Sequence, residues 1–228
     1  MAKKYSKDVA IYYDGYDIGT AMTSMQLSIA VDALDPTSLG DSAERVLAAI
    51  RKDALEVSGL FDDDSMALDA AAALIGSSTG IFSVSFGTAA GAISYVGTAF
   101  FKQFKPAAKI GDLVKLEGAF KPMQLLQRGK LLYGKGAVGS GTTDSLDNGG
   151  SSASGTVYIH VFNSPNQTED IQFEDSPDNS TWAVRKIFNN PPSHTSTSYA
   201  ETGSVIQRYT RLNLPSGGLT LAAILVRD

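Results

Sequence analysis

The chain has 228 residues, no cysteine and a formal net charge of −5, with 43% hydrophobic and 19% charged residues. This composition is ordinary for a soluble globular protein and supplies enough apolar side chains for a core. The negative charge argues against a protein that binds nucleic acid by neutralising phosphates, and the lack of cysteine excludes disulfides and thiolate metal sites.

The first part of the chain is patterned as β-strands. The segment VAIYYDG (9–15) is apolar and ends in an Asp-Gly pair, which predicts a tight turn. TSMQLSIAVDAL (23–34) and ALEVSGLFD (54–62) alternate apolar and polar residues, which is the period of a strand with one buried face. In the first of these two segments, the residues predicted to point inward are Met25, Leu27, Ile29 and Val31.

The stretch between these two strands, VDALDPTSLGDSAERVL (31–47), is too long for a hairpin turn. Its Asp-Pro and Gly-Asp pairs predict two changes of direction. It carries four acids and one base, with apolar residues spaced among them: Val31, Leu34, Leu39, Val46 and Leu47. Because so many apolar side chains are unfavourable in a solvated loop, we interpret the stretch as a surface for another copy of the same chain.

The strongest helix pattern is DDDSMALDAAAALIG (62–76). Acidic residues at its start match the positive end of a helix dipole, alanines fill it, and Gly76 can end it. The consecutive aspartates also suggest a metal site, but a calcium loop needs alternating oxygen ligands and a later glutamate, and the sequence lacks that spacing. We therefore expect one helix here, and no metal or other cofactor.

The weakly polar run GIFSVSFGTAAGAISYVGTAFF (80–101) is interpreted as two strands and a turn rather than a membrane span, because its bulky residues alternate. The region 100–121 then combines phenylalanines with lysines: Phe100, Phe101, Phe104, Phe120, Lys102, Lys105, Lys109, Lys115 and Lys121. Such a composition suits a platform for single-stranded nucleic acid, but a long hairpin whose lysines protect its edges is favoured. A hairpin of this kind also suits contact with a neighbouring copy.

A change in composition marks a domain boundary. GKGAVGSGTTDSLDNGGSSASG (134–155) contains almost only Gly, Ser, Thr, Asp and Asn, so it offers little apolar surface to offset the entropy of ordering. It predicts an N-terminal domain (1–135), a flexible linker (136–154) and a C-terminal domain (155–228). Short, evenly spaced strands in the last of these predict an immunoglobulin-like β-sandwich packed around Trp182 and aliphatic residues.

The sequence gives no sign of catalysis. Its two histidines, His160 and His194, share no ligand spacing with each other or with a carboxylate, so we assign both to structural or surface roles. The G-x-S-x-G motif of a nucleophile elbow does not occur. The glycines around Lys135 lack the order of a phosphate-binding loop. We do not expect an enzyme.

Three stretches carry a resemblance to a known family. They are IYYDGYDIGTAMTSMQLSIAVDALDPTSLGDSAERVL, AIRKDALEVSGLFDDDSMALDAAAALIG, and the C-terminal set GTVYIHVFNS, IQFEDSPDNSTWAVRKIF and QRYTRLNL. The first two resemble the opening strands and the short helix of major tail tube proteins of long-tailed, non-contractile bacteriophages. The third resembles the immunoglobulin-like domain that some of these proteins carry at the C-terminus.

The resemblance implies a mainly β fold with one flanking helix, made of an N-terminal β-sandwich or open barrel and a C-terminal immunoglobulin-like β-sandwich. It implies a structural virion protein that self-assembles into stacked hexameric rings, the tail tube through which DNA passes into the host without specific binding. Expected partners are other copies of the chain and tail proteins such as the tape measure, terminator and baseplate or tip proteins, with no membrane. The protein would be made in the host cytoplasm and reside in the virion tail.

Under this interpretation, two groups of residues form contacts. The ring interface uses the 31–47 stretch and the 100–121 hairpin: Leu34, Asp35, Leu39, Asp41, Arg45, Val46, Leu47, Lys102, Phe104 and Lys105. The C-terminal domain would decorate the outside of the tube, where it either binds host-surface carbohydrate weakly or only protects the tube; the candidate residues for binding are Tyr158, Phe162 and Tyr199.

Two alternatives stay open from the residues alone. A capsid decoration or cement protein also pairs small β domains with immunoglobulin-like additions, but it would form trimers and leave the 31–47 stretch idle. A carbohydrate-binding module would act through an exposed aromatic row in the C-terminal domain.

Overall fold

The computed structural model describes residues 8–34, 47–60, 75, 79–165, 169–202 and 204–227. These residues form a 3-10 turn at Gly19–Ala21 and sixteen strands. The strands are β1 (Val9–Tyr13), β2 (Tyr16–Asp17), β3 (Met22–Leu34), β4 (Leu47–Leu60), β5 (Gly80–Phe86), β6 (Ile93–Ala107), β7 (Lys115–Pro122), β8 (Gln127–Val138), β9 (Gly141–Thr142), β10 (Leu146–Asp147), β11 (Gly155–Asn163), β12 (Ile171–Ser176), β13 (Ala183–Phe188), β14 (Thr195–Glu201), β15 (Tyr209–Leu214) and β16 (Leu219–Arg227).

The strands predicted in the first part of the chain are confirmed. The Asp-Gly turn joins β1 to β2 with Tyr13 opposite Tyr16, and both Asp14 and Gly15 have positive φ, as a tight hairpin turn requires. Strands β3 and β4 pair along their whole length, from Met22 opposite Gly59 to Leu34 opposite Leu47. The run 80–101 forms antiparallel β5 and β6.

Strand β6 belongs to two layers of the molecule. Its first half pairs with β5 and β8, and its second half pairs with β7, which in turn pairs with β4. The resulting eleven-stranded sheet runs β14-β11-β16-β8-β6-β5-β1-β2, with β7, β4 and β3 branching from β6. A second sheet of five strands runs β10-β15-β12-β13, with β9 beside β15.

Two sandwich cores form where these layers face each other. In the N-terminal core, β1 and β5 pack against β4, β6 and β7, and the stacked rings of Phe101 and Phe120 lie at the centre with centroids 4.4 Å apart. In the C-terminal core, β8, β11 and β16 pack against β12, β15 and neighbouring turns through aliphatic residues and Phe173. Trp182 is not part of this core: it is half-buried beneath the guanidinium of Arg211, 3.9 Å from its ring.

A third buried layer joins the two halves. Ile81 and Val96 of the N-terminal part pack with Leu131 of β8 and with Ile224 and Val226 of β16. Beside them, Tyr12 of β1 packs edge-on against Phe162 of β11, with ring centroids 5.0 Å apart. The chain's two halves therefore share one sheet and one layer of core.

Part of 136–154, where the sequence predicts a flexible linker, forms paired strands. The last residues of β8 pair with β16, β9 pairs with β15, and β10 also pairs with β15. Close approach accounts for Gly134, just before this segment, where a Cβ would lie 2.1 Å from the carbonyl oxygen of Thr88, whereas a Cβ on Gly139, Gly141, Gly149 or Gly150 would meet nothing within 4 Å. The division into 1–135 and 155–228, and the immunoglobulin-like topology of the second part, stay predictions.

The helix predicted for 62–76 lies outside the described residues, apart from Ile75, which lies in a turn. Among the residues that are described, helical geometry is limited to short 3-10 turns. None of their helices is long and apolar enough to cross a membrane.

Candidate assembly surface

Strands β3, β4, β7 and the second half of β6 form a four-stranded antiparallel sheet, here called the wall. Residues opposite each other across an antiparallel pair lie on the same face, so the register defines rows across the wall. Two rows face the core: Met25–Val57–Gly118–Phe104 and Leu27–Leu55–Phe120–Phe101. Gly118 is tightly packed in the first row, because a Cβ there would lie 3.0 Å from Val57 Cγ2 and 3.1 Å from the Phe101 ring, and both neighbours would have to shift.

The opposite face of the wall is polar. Its two central rows are Gln26–Glu56–Ala119–Gln103 and Ser24–Ser58–Glu117–Lys105. The Ser24 and Ser58 hydroxyls are 2.8 Å apart, and the Lys105 Nζ is 3.3 Å from the Glu117 carboxylate in an exposed ion pair. Small and neutral side chains thus fill the middle of this face, and its charged groups have both signs.

Both edges of the wall are open in the part of the chain that the structure describes. Strand β3 pairs only with β4, and Phe100–Ala107 of β6 pair only with β7. Backbone groups on these two edges can therefore accept a further strand. Since the two edges lie on opposite sides of the wall, a copy placed beside either edge can extend the sheet.

The β3–β4 hairpin extends past the wall as an arm. Beyond Leu27, which is half-buried, the same face of β3 continues with Ile29 and Val31, which are 40% and 51% exposed. The expectation that these two residues point into the core of their own chain is wrong, because β7 ends at Pro122 and leaves this end of the hairpin uncovered.

The predicted ring-interface residues fall into three groups. Leu34 and Leu47 are the last paired residues of the arm, and 35–46, which includes Asp35, Leu39, Asp41, Arg45 and Val46, lie outside the described residues. Lys102 and Lys105 are exposed on β6, where Lys102 occupies a bulge between Phe101 and Gln103. Phe104 is half-buried and packs edge-on against Phe101, with ring centroids 6.3 Å apart.

The hairpin predicted for 100–121 is confirmed as β6 and β7. Its five lysines are exposed, whereas Phe101 and Phe120 are buried on the other face of the wall. Only the half-buried Phe100, opposite Lys121, shares the polar face with the lysines, so the hairpin lacks the row of exposed rings that a platform for single-stranded nucleic acid needs. The loop at the tip of the hairpin exposes two apolar side chains, Ile110 and Leu113, which the sequence analysis did not select.

The three residues predicted for an outer binding surface do not form one. Phe162 is only 7% exposed, packed among Tyr12 and Ala222, so its assignment to the surface is wrong. Tyr158 is half-buried and donates a hydrogen bond of 2.7 Å from its hydroxyl to Gln127 Oε1. Tyr199 is half-buried and donates to Glu201 Oε2 over 2.8 Å. The hydroxyl groups of both tyrosines are thus already hydrogen-bonded within the chain.

No family model matches this chain, and no curated protein sequence matches it. Among solved structures, a chain of the tail of an empty gene transfer agent particle, refined as a helix with C6 symmetry, is 20% identical over 54% of this chain and 97% of that chain, with a TM-score of 0.46. The Dit hub protein of phage SPP1 is 12% identical over 96% of this chain and 99% of that chain, with a TM-score of 0.41. A chain of the sheath–tube complex of the contractile injection system PVC is 11% identical over 55% of this chain and 90% of that chain, with a TM-score of 0.44. Because all these TM-scores are below 0.5, the likenesses assign neither a family nor an activity to this chain.

His160 lies in the layer that joins the two halves and is fully buried. Its Nε2 is 2.9 Å from the Ser83 hydroxyl, and its Nδ1 has no hydrogen-bond partner among the described residues. Burial away from water lowers the pKa of His160 to about 3. The imidazole is therefore neutral at the contact between β5 and β11, in agreement with a structural role.

We expect the free energy of unfolding to fall as the pH drops below about 6.5, the pKa of histidine in an unfolded chain. Between pH 6.5 and about 3, His160 binds a proton in the unfolded state but not in the folded state. The free energy of unfolding therefore falls by about 1.4 kcal/mol per pH unit, or by about 2 kcal/mol between pH 6.5 and 5. Urea unfolding at a series of pH values measures this slope.

His160→Gln, which keeps a polar group next to Ser83 without a titrating ring, should flatten that slope. His194→Asn is the matched control, because His194 lies in a turn at φ 53, which asparagine tolerates. An unchanged slope in His160→Gln would show that another group is responsible.

Proposed function

We propose that this chain is a structural protein of a phage tail that assembles into hexameric rings, and that the rings stack into a tube. The observation that carries the proposal is the wall: a two-faced sheet of four strands with both edges open among the described residues. The number of copies and the tube itself come from the resemblance of the three sequence stretches to tail tube proteins.

The two open edges suit a head-to-tail contact between identical copies. If β3 of one copy pairs with Phe100–Ala107 of the next, the contact uses two different surfaces and repeats around a ring until it closes. Such a ring presents the polar face of every wall on one side and the apolar face on the other. The apolar face is already covered by the chain's own core, so the polar face lines the channel.

The middle of the lining fits the passage of DNA without specific binding, while Lys115 and Lys121 of β7 flank it on either side. The central row Gln26–Glu56–Ala119–Gln103 offers neutral groups and one acid, and the nearby Lys105 is paired with Glu117. A duplex is held mainly by cations that neutralise its phosphates, and the middle of this face lacks such a row among the described residues.

The proposal places the protein in the virion tail, without catalytic activity, cofactor or membrane contact. Its partners are further copies of the chain and the proteins that begin, fill and end the tube. In this proposal the C-terminal sandwich decorates the outside of the tube.

Negative-stain electron microscopy of the purified protein tests this function. Tubes built of stacked rings are the expected result at high protein concentration. Monomers that persist at high concentration would overturn the proposal, and discrete trimers would favour capsid decoration.

A variant of the arm tests the role of 35–46. Leu34 and Leu47 are paired directly across the hairpin, so an Asn-Gly turn can replace residues 35–46 without disturbing β3 or β4. We expect this variant to stay folded, with an unchanged circular dichroism spectrum, and to lose the ability to form tubes. Loss of folding would show that 35–46 belong to the core, and normal tubes would show that they are not an assembly surface.

A further inference from the structure

A basic groove lies at the end of the molecule from which the arm leaves. It consists of two adjoining clefts of about 200 and 500 Å³, which share Arg128 and Arg227 in their lining. Lys130 lines the first cleft and Arg51 lines the second. In a chain with a net charge of −5, this concentration of cations is unexpected.

The cations of the groove are poorly neutralised by the described residues. Arg227 donates to Ser152 Oγ at 2.9 Å and to the carbonyl oxygens of Gly150 and Ile206, none of which carries a charge. Only Arg51 has a carboxylate partner among the residues described, with its Nε 2.8 Å from Asp53. Asp147 interacts electrostatically with Lys130, but its carboxylate is held mainly by Arg208 through two contacts of 2.8 and 2.6 Å.

The acidic run Asp62–Asp64 begins two residues after Leu60, the last residue of β4. Strand β4 is continuous from Arg51 to Leu60, so these two residues are about 30 Å apart at about 3.3 Å per residue. Four residues of chain span at most about 14 Å, so Asp64 cannot reach the part of the groove around Arg51 in its own copy.

We infer that the basic groove binds Asp62–Asp64 of a second copy, in the ring stacked next to it. This inference rests on the proposed tube. Groups of opposite charge at opposite ends of one chain fit a head-to-tail contact, in which the same pair recurs between every two rings. The groove therefore contributes to the stacking of rings, whereas the open edges of the wall contribute to the rings themselves.

Charge reversal tests this contact. Arg128→Glu changes an exposed strand residue, so the fold is retained while the carboxylate introduced into the groove of one copy faces Asp62–Asp64 of the next. We expect the protein concentration needed for tubes to rise about tenfold or more, with rings still present, because like charges then meet. Lys186→Glu is the matched control: it makes the same charge change on exposed β13, away from the groove, and should leave tube formation unchanged.

A second, compensating substitution identifies the segment that the groove binds. Asp63→Arg alone should weaken stacking as Arg128→Glu does, and the two changes combined in one chain should restore tubes. Tubes that form normally in Arg128→Glu, or a combined variant that is not restored, would overturn the inference. If instead Asp35→Arg restores Arg128→Glu, the groove binds the arm and the inference is again wrong. Absence of tubes in the unmodified protein would overturn the proposed function itself, so the two failures are distinguishable.

Discussion

A chain that ends at Val138 is expected not to fold. Residues 1–138 contain all the strands of the wall, but β8 would lose its partner β16. Ile81, Val96 and Leu131 would lose their cover of Ile224 and Val226, and Tyr12 would lose Phe162. Since each exposed side chain of this size costs about 1.5–3 kcal/mol, the loss is comparable to the whole stability of a small domain. The measurement is the soluble yield and the cooperativity of thermal unfolding of 1–138.

A cleavable full-length chain is the control for this truncation. Gly149 and Gly150 are exposed, and a Cβ on either would meet nothing within 4 Å, so a protease site inserted between them should be tolerated. After cleavage, we expect the two fragments to remain associated and folded, because the packing is intact and only the covalent link is lost. A soluble, cooperatively folded 1–138 fragment would contradict this expectation and support the division at 135.

Phe120→Ala is expected to reduce the free energy of unfolding by about 3–5 kcal/mol. The Phe120 ring is 2% exposed and contacts three other rings: it stacks on Phe101 and Phe82, with centroids 4.4 and 5.3 Å away, and packs against Tyr13 at 5.1 Å. Truncation leaves a cavity where the wall meets β1 and β5. Urea unfolding monitored by tyrosine fluorescence measures the change.

Phe100→Ala is the matched control for this substitution. Phe100 lies next to Phe101 on the same strand but is only half-buried, opposite Lys121 on the polar face. Its truncation should cost clearly less than that of Phe120. Equal losses in the two variants would mean that the aromatic cluster is not the centre of the N-terminal core.

Local alternation was sufficient to find most strands. The spacing of Met25 and Leu27 has the period of a strand and predicts that both lie on the core side of β3, and the structure agrees. The same pattern failed for Ile29 and Val31, since alternation shows which face a side chain occupies but not where the covering layer ends. Whether a side chain at the end of a strand is exposed depends on the lengths of the strands packed next to it, and those strands lie far away in the sequence.

The assignment of β11 aromatic residues to an outer surface was wrong for a related reason. Strand β11 alternates Val157, Ile159 and Val161 with Tyr158, His160 and Phe162, as predicted, but both of its faces are covered. An aromatic residue opposite an aliphatic face normally faces solvent in a sandwich, and only the packing of β1 against β11 makes Phe162 internal. The glycine-rich composition of 134–155 predicts a linker, but composition does not show whether a segment pairs with a distant strand, as β9 and β10 do with β15.

The candidate assembly surface was only partly accessible to sequence analysis. The arm and the hairpin were selected from their unusual mixture of apolar and charged residues. The open edges, the rows across the wall and the groove around Arg128 depend on strand register and on contacts between residues far apart in the sequence, such as Arg51 and Leu126. No local pattern encodes these relations.

The sheet shared by both halves also limits how the gene for this chain can recombine. A crossover within 136–154, where the composition resembles a joint between modules, would combine β8 of one parent with β16 of another. Their pairing includes two irregular steps, between Leu221 and Ala223 and between Ala223 and Ile224, which a foreign strand would have to reproduce. We therefore expect the C-terminal sandwich to be inherited together with the wall, and additional domains to be accepted more easily at the exposed Gly149–Gly150 turn than through exchange of the C-terminal half.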